Sequence, residues 1–134
     1  MLEVSAGAIL YTVIDNLKHF LIIKDNHGNY GFPKGHLEEN ETDLDAALRE
    51  IREETGIDAT IDSSFKESIT YIMPNGITKK AIYFLAQFYN QKPSPQQGEV
   101  DEILLLPYNE ALAILTFDNM KEILINAQRY MENE

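Results

Sequence analysis

Residues 42–55 constrain the fold more than any other part of the chain. Leu44, Ala47, Leu48, Ile51 and Thr55 recur at helical spacing there, which predicts an amphipathic helix, and Gly56 supplies its stop. Such a helix persists in water only when its apolar stripe is buried on a partner. The surrounding sequence offers strands. Residues 4–14 and 20–24 are rich in β-branched and aromatic side chains, with 15–18 as a hairpin connection. Residues 59–61, 65–73 and 77–89 read as further strands, the last two joined by Pro74-Asn75-Gly76, and 100–106 adds another. Pro107 is placed to end that strand and start a helix over 109–115, and 118–131 forms a closing amphipathic helix with Ile123, Leu124 and Ala127 on its apolar side. Residues 25–29 form a turn, 30–35 a shaped loop whose two glycines and proline exclude regular structure, and 91–98 a mobile loop. The expected fold is a single α/β (α+β) domain over residues 1–134, a mixed β-sheet with helices on its faces.

A chain of 134 residues is long enough to bury a core without staples. It has no cysteine, which excludes disulfides, a thiolate nucleophile and thiolate-held zinc or iron–sulfur clusters. Residues 1–13 contain Glu3, lack a basic start and read as a strand, not a signal peptide. No segment approaches the roughly 20 apolar residues that span a bilayer, so a soluble, cytoplasmic protein is expected. The formal charge is −11. That argues against general nucleic-acid binding, which depends on Lys and Arg meeting phosphates, and means that a polyanionic ligand needs cations to enter. Residues 35–57 hold eight acidic residues and two arginines, so more than half of the excess is concentrated there.

Within the predicted helix, Glu50, Glu53 and Glu54 are spaced i, i+3, i+4 and share one face. Like charges so placed repel by a few tenths of a kcal/mol per pair. The pattern is open to two readings: a solvated face, or a set of hard oxygen ligands for Mg²⁺ or Mn²⁺.

The frame around the glutamates decides between them. Gly35, Glu41, Arg49-Glu50-Ile51, Glu53-Glu54 and Gly56-Ile57 stand at the fixed positions of the Nudix box, over residues 35–57 without a gap. The chain thus resembles the Nudix hydrolases. The resemblance implies an α/β/α sandwich, Glu53 and Glu54 as principal metal ligands, Glu50 as a further ligand or assisting carboxylate, and an ion pair of Arg49 with Glu41 anchoring the loop to the helix. It also implies attack of water on a phosphoanhydride that links a nucleoside diphosphate to another group.

Outside the box, Gly31-Phe32-Pro33-Lys34-Gly35-His36, Phe65-Lys66-Glu67, Tyr71, the run from Lys80 to Ala86, Glu99 and Glu110-Ala111 resemble the asymmetrical dinucleoside tetraphosphatases. Tyr30 stands where that group commonly has tryptophan, and Glu38-Glu39-Asn40-Glu41 replaces its Glu-Pro-Gly-Glu turn, with Asn40 tolerant of left-handed geometry. By position, the likeness implies that Lys34, His36 and Lys80, with Lys79 as an addition, contact a polyphosphate. Tyr83 and Phe117 would stack on a nucleobase, and Glu99 would be a further metal ligand or a base on the attacking water. Each has a structural alternative: core packing for the aromatics, helix capping for His36, a solvated hairpin edge for Lys79 and Lys80, and Asp101 or Glu102 in place of Glu99. The expected activity is Mg²⁺-dependent cleavage of diadenosine tetraphosphate, a small-molecule nucleotide, into ATP and AMP. The alternatives are another substrate (a nucleoside triphosphate, ADP-ribose, an inositol polyphosphate or a 5′-triphosphorylated RNA) or a non-catalytic nucleotide sensor.

Overall fold

A computed structural model describes residues 1–96 and 98–133. Its sheet is built from β1 (Leu2–Ile14), β2 (Leu17–Asp25), β3 (Tyr30–Gly31), β4 (Lys34–His36), β5 (Thr60–Ile72), β6 (Thr78–Gln87) and β7 (Val100–Pro107). The strand order is β3-β2-β1-β6-β5, with β4 also pairing β1 and β7 pairing β2. β1 and β6 are parallel and the other pairs antiparallel, so the sheet is mixed, as expected. Helix α1 (Asp43–Thr55) packs on one face; α2 (Tyr108–Ile114) and α3 (Asp118–Glu132) pack on the other.

The alternation of strand side chains divides the core. In β1, Ala6, Ala8 and Leu10 meet the α1 layer, while Ile9 belongs to the layer under α2 and α3. In β6 the even residues Ile82, Phe84 and Ala86 face α1, and the odd residues Ala81, Tyr83 and Leu85 face α3. A central strand covered on both faces is apolar throughout, which is why residues 6–10 do not alternate in sequence.

Helix α1 starts where its chemistry says it should. Thr42 is the N-cap, its hydroxyl accepting from the Asp45 N–H at 3.1 Å, and Asp43 and Asp45 lie in the favourable first turn. Gly56, with φ of 74°, donates its N–H to the Arg52 carbonyl at 2.8 Å and closes the helix. Ile51, fully buried, anchors the stripe on the sheet. Asn40 takes the left-handed conformation, φ 69°.

Two expectations are corrected. Residues 30–35 are not free of regular structure: Tyr30–Gly31 pairs with β2 and Lys34–His36 with β1, because glycine backbones still ladder and only the Phe32-Pro33 step lacks pairing. The separate strands at 59–61 and 65–73 are one strand, β5, whose register shifts between Asp62 and Lys66. In the loop of 91–98, the Ser94 and Gln96 amides donate to the Thr55 and Glu54 carbonyls at 2.8 and 3.1 Å. Gln97 lies outside the described residues. Among the described residues, no helix is long and apolar enough to cross a membrane.

Candidate active site

The carboxylates of α1 are organised by one guanidinium. Arg49 Nε and Nη2 donate to the two oxygens of Glu41 at 2.7 and 3.0 Å, the fork geometry that favours arginine over lysine. Nη2 also donates to the His36 carbonyl at 2.9 Å, so the loop before the helix hangs on this residue. Nη1 reaches Glu50 at 2.8 Å and Glu53 at 3.0 Å. The expected ion pair of Arg49 with Glu41 is therefore present, and Arg49 additionally lies between two of the acidic side chains. These bonds hold the Glu41 carboxyl below the usual carboxylate range and raise Arg49 above its already high value. Lysine has no second arm, so Arg49→Lys is expected to lower the urea midpoint and to reduce turnover by about 10–100-fold; unchanged kinetics would remove Arg49 from the site's support.

Gly35 explains how Glu50 comes so close to the strand. A Cβ at Gly35 would overlap the Glu50 carboxyl group, so only glycine lets that side chain lie on the β4 backbone.

Glu54 departs from the reading of the three glutamates as a solvated face. It is 5% exposed, next to Thr55 on the buried side, whereas Glu53 is exposed. Its Oε2 has no hydrogen-bond partner. Burial, then hydrogen bonding to and repulsion from Glu50, push its pKa up to about 9; Lys34 opposes the rise and Glu99 adds to it. A buried carboxyl oxygen without a partner, beside two more carboxylates, is a group prepared for a cation.

The remaining residues fall around three neighbouring cavities that share Lys34. The first, about 460 Å³, is lined by Glu50, Glu53, Glu54, Glu99, Arg49 and His36. A second, about 180 Å³, runs past Glu54 and Glu99 to Tyr83, Phe117 and Met120. A third, about 390 Å³, adds Tyr71, Asn119 and Ile69 to Tyr83 and Phe117. Glu99 is exposed at the end of the loop that docks on the Glu54 and Thr55 carbonyls, which brings it to the carboxylate cluster. Phe117, at the N-cap of α3, is 52% exposed.

One residue sits differently from expectation. Tyr83 is 1% exposed and its hydroxyl pKa is raised by burial, so it forms a cavity wall and offers no open ring face. Lys80 lies on the α1 face of β6, opposite to Tyr83, because residues three apart on a strand point to opposite sides; Lys79 shares the Tyr83 face. Sequence reading named Tyr71 but gave it no place in the site. It pairs with Lys79 across β5 and β6, lines the cavity of about 390 Å³ beside Phe117 and is 38% exposed.

The family model of the NUDIX domain matches residues 3–127. The chain is a Nudix hydrolase. Among relatives, the asymmetrical bis(5′-nucleosyl)-tetraphosphatase of Sus scrofa is 32% identical over 125 residues, covering 88% of this chain and 84% of that protein. The Mus musculus protein of the same name is 34% identical, with 84% and 80% covered. The structure of a C. elegans Ap4A hydrolase binary complex shares the fold, with a TM-score of 0.91, 23% identity and coverage of 98% and 99%. So does the NUDIX domain of Shewanella oneidensis NrtR complexed with ADP ribose, with a TM-score of 0.83, 19% identity and coverage of 98% and 89%.

In this Nudix hydrolase the donor set suits a hard divalent ion: carboxylates alone, one of them with an orphaned buried oxygen. Among the described residues no three acidic or histidine side chains converge closely enough to enclose an ion, since Arg49 takes up Glu50 and Glu53 and Glu99 stands on a separate loop.

Proposed function

We propose that this Nudix pyrophosphatase hydrolyses diadenosine tetraphosphate asymmetrically into ATP and AMP, with Mg²⁺ as cofactor and Mn²⁺ as a substitute. The observation that carries the reading is the continuity of chemistry along the cavities: four carboxylates at one end, Lys34 in common, and the rings of Phe117 and Tyr71 at the other. The relatives in pig and mouse that bear the tetraphosphatase name support it.

Glu50, Glu53, Glu54 and Glu99 would hold the divalent ions. When bound, such ions neutralise phosphate charge and lower the pKa of an attacking water. The protein's own contributions follow from its side chains. Glu54 would have to be deprotonated to serve as a ligand. Lys34 meets the phosphate chain as a point charge. Phe117 and Tyr71, not the buried Tyr83, present ring faces to a base, each stack being worth roughly 1–3 kcal/mol. Arg49 keeps Glu41, Glu50 and the His36 segment in position. Water adds across a P–O–P linkage, one phosphorus taking the hydroxyl oxygen and the other retaining the bridging oxygen.

Anion-exchange analysis of products after incubation with diadenosine tetraphosphate and Mg²⁺ tests the reading: ATP and AMP in equal amounts are expected, and two ADP molecules or no turnover would remove it. Phe117→Ala is expected to raise KM by about 5–100-fold with a smaller change in kcat, as loss of one stacking face requires. ADP-ribose is the second compound to compare, because the NrtR domain of similar fold was crystallised with it.

A further inference from the structure

The side chain of Glu3 is part of neither the carboxylate cluster nor the core. Its Oε2 lies 3.6 Å from Lys79 Nζ and 3.5 Å from His36 Nε2. One oxygen thus serves both groups, at distances longer than the direct contacts elsewhere in the molecule, such as Lys66 with Asp43 at 2.8 Å. Glu3 and Lys79 are each about one-third exposed, and His36 is 65% exposed, so the gap between them is open to solvent. Glu3 pairs with Lys79 across β1 and β6, and Ser5, two residues on and on the same side of β1, pairs with His36 and lines the cavity of Glu50, Glu53 and Glu54. The gap therefore lies about one same-face strand step, roughly 7 Å, beyond the carboxylate cavity.

We propose that Glu3 is a specificity-determining residue, an internal anion that occupies the position of a phosphate oxygen between Lys79 and His36 and competes with the triphosphate group of a ligand for it. The inference rests on the reading of the substrate as a polyphosphate. Its physical basis is that a carboxylate and a phosphate oxygen are both hard, anionic acceptors, so one replaces the other without rebuilding the site. A triphosphate that reaches the gap has to displace Glu3; a monophosphate held at the carboxylate cavity does not meet it. Glu3 accordingly weakens retention of the triphosphate-bearing product and returns to Lys79 as that product leaves.

Calorimetric titration of wild type and Glu3→Gln with inorganic tripolyphosphate and with AMP tests this directly. Tripolyphosphate is expected to bind Glu3→Gln about three- to tenfold more tightly, the worth of one partly exposed charge, with AMP unchanged within about twofold. In turnover, inhibition by ATP should strengthen by the same factor. Lys79→Met should weaken tripolyphosphate binding and shrink the effect of Glu3→Gln when the two are combined. Tripolyphosphate binding that is unchanged or weaker in Glu3→Gln, or unaffected by Lys79→Met, overturns the proposal. Failure of the wild type to release ATP and AMP from diadenosine tetraphosphate overturns the substrate reading instead, a result separate from these titrations.

Discussion

Glu54→Gln is expected to reduce turnover by roughly 10³-fold while leaving the metal-free protein at least as stable as the wild type. The two effects have one origin. The residue is buried, its Oε2 lacks a partner, and burial beside Glu50 raises its pKa to about 9 from the ordinary 4.5. Between those values the folded, metal-free protein holds a proton that the unfolded chain has released. Stability from this group is therefore fully present below about pH 4.5 and is lost as pH rises toward 9. Glutamine has the same shape without the charge, so it removes that loss. It also removes a ligand, and losing several kcal/mol of charge stabilisation at roughly 1.4 kcal/mol per decade gives the expected fall in rate. Thermal melts in chelator at pH 6 and pH 9 should show the wild type losing stability and Glu54→Gln holding it. Added Mg²⁺ should stabilise the wild type more at the higher pH, since binding requires the deprotonated form. A variant that retains activity, or melts whose pH dependence is unaffected by the substitution, would overturn this account of Glu54.

Gly7→Ala is expected to cost about 3 kcal/mol, measured as a lower urea midpoint, and to take activity with it. A Cβ at residue 7 would overlap the Pro33 carbonyl oxygen and lie 2.8 Å from Lys34 Cα. Both obstacles are backbone, so no side-chain rotation relieves the overlap. The chain from Pro33 to Lys34 would have to move off β1, giving up the hydrogen bond from the Ala8 amide to Pro33 and shifting Lys34 and Gly35, which carry the site's shared lysine and the seat of Glu50. Gly31→Ala is the control, because nothing lies within 4 Å of the added atom. Equal midpoints for the two variants would show that β1 and the Pro33 segment are not in this close contact.

The parts of this molecule that could be read from the chain are those decided locally. Helix α1 was legible because cap, stripe and stop all lie within it, and the spacing of its glutamates followed from helical geometry. The burial of Glu54 was legible only in part: it lies about 100° from Glu53 on the wheel, on the side of Ala47 and Ile51, and the docking of residues 94–96 on the helix end, which the helix pattern does not reveal, covers that end further. Lys80 and Tyr83 could have been separated by strand parity, since three residues apart means opposite faces. Tyr71 was harder, because its place in the cavity beside Phe117 depends on the pairing of β5 with β6 and on where α3 sets Phe117. The single bent strand β5 hides in sequence because the residues of its register shift, 62–66, resemble a turn.

The parallel pairing of β1 with β6 has a kinetic consequence. Its partners are 76 positions apart in the chain, as Tyr11 and Gln87 illustrate. Closing so long a loop precedes any reward from the contacts it brings together, which places this central ladder among slow-forming, high-contact-order features. During synthesis the glutamate helix emerges well before β6 exists to complete the surface beneath it. Catalytic competence is therefore acquired late, when more than half of the chain has already left the ribosome, and mutations that weaken the β1–β6 ladder should slow the appearance of activity on refolding more than they slow the appearance of helix.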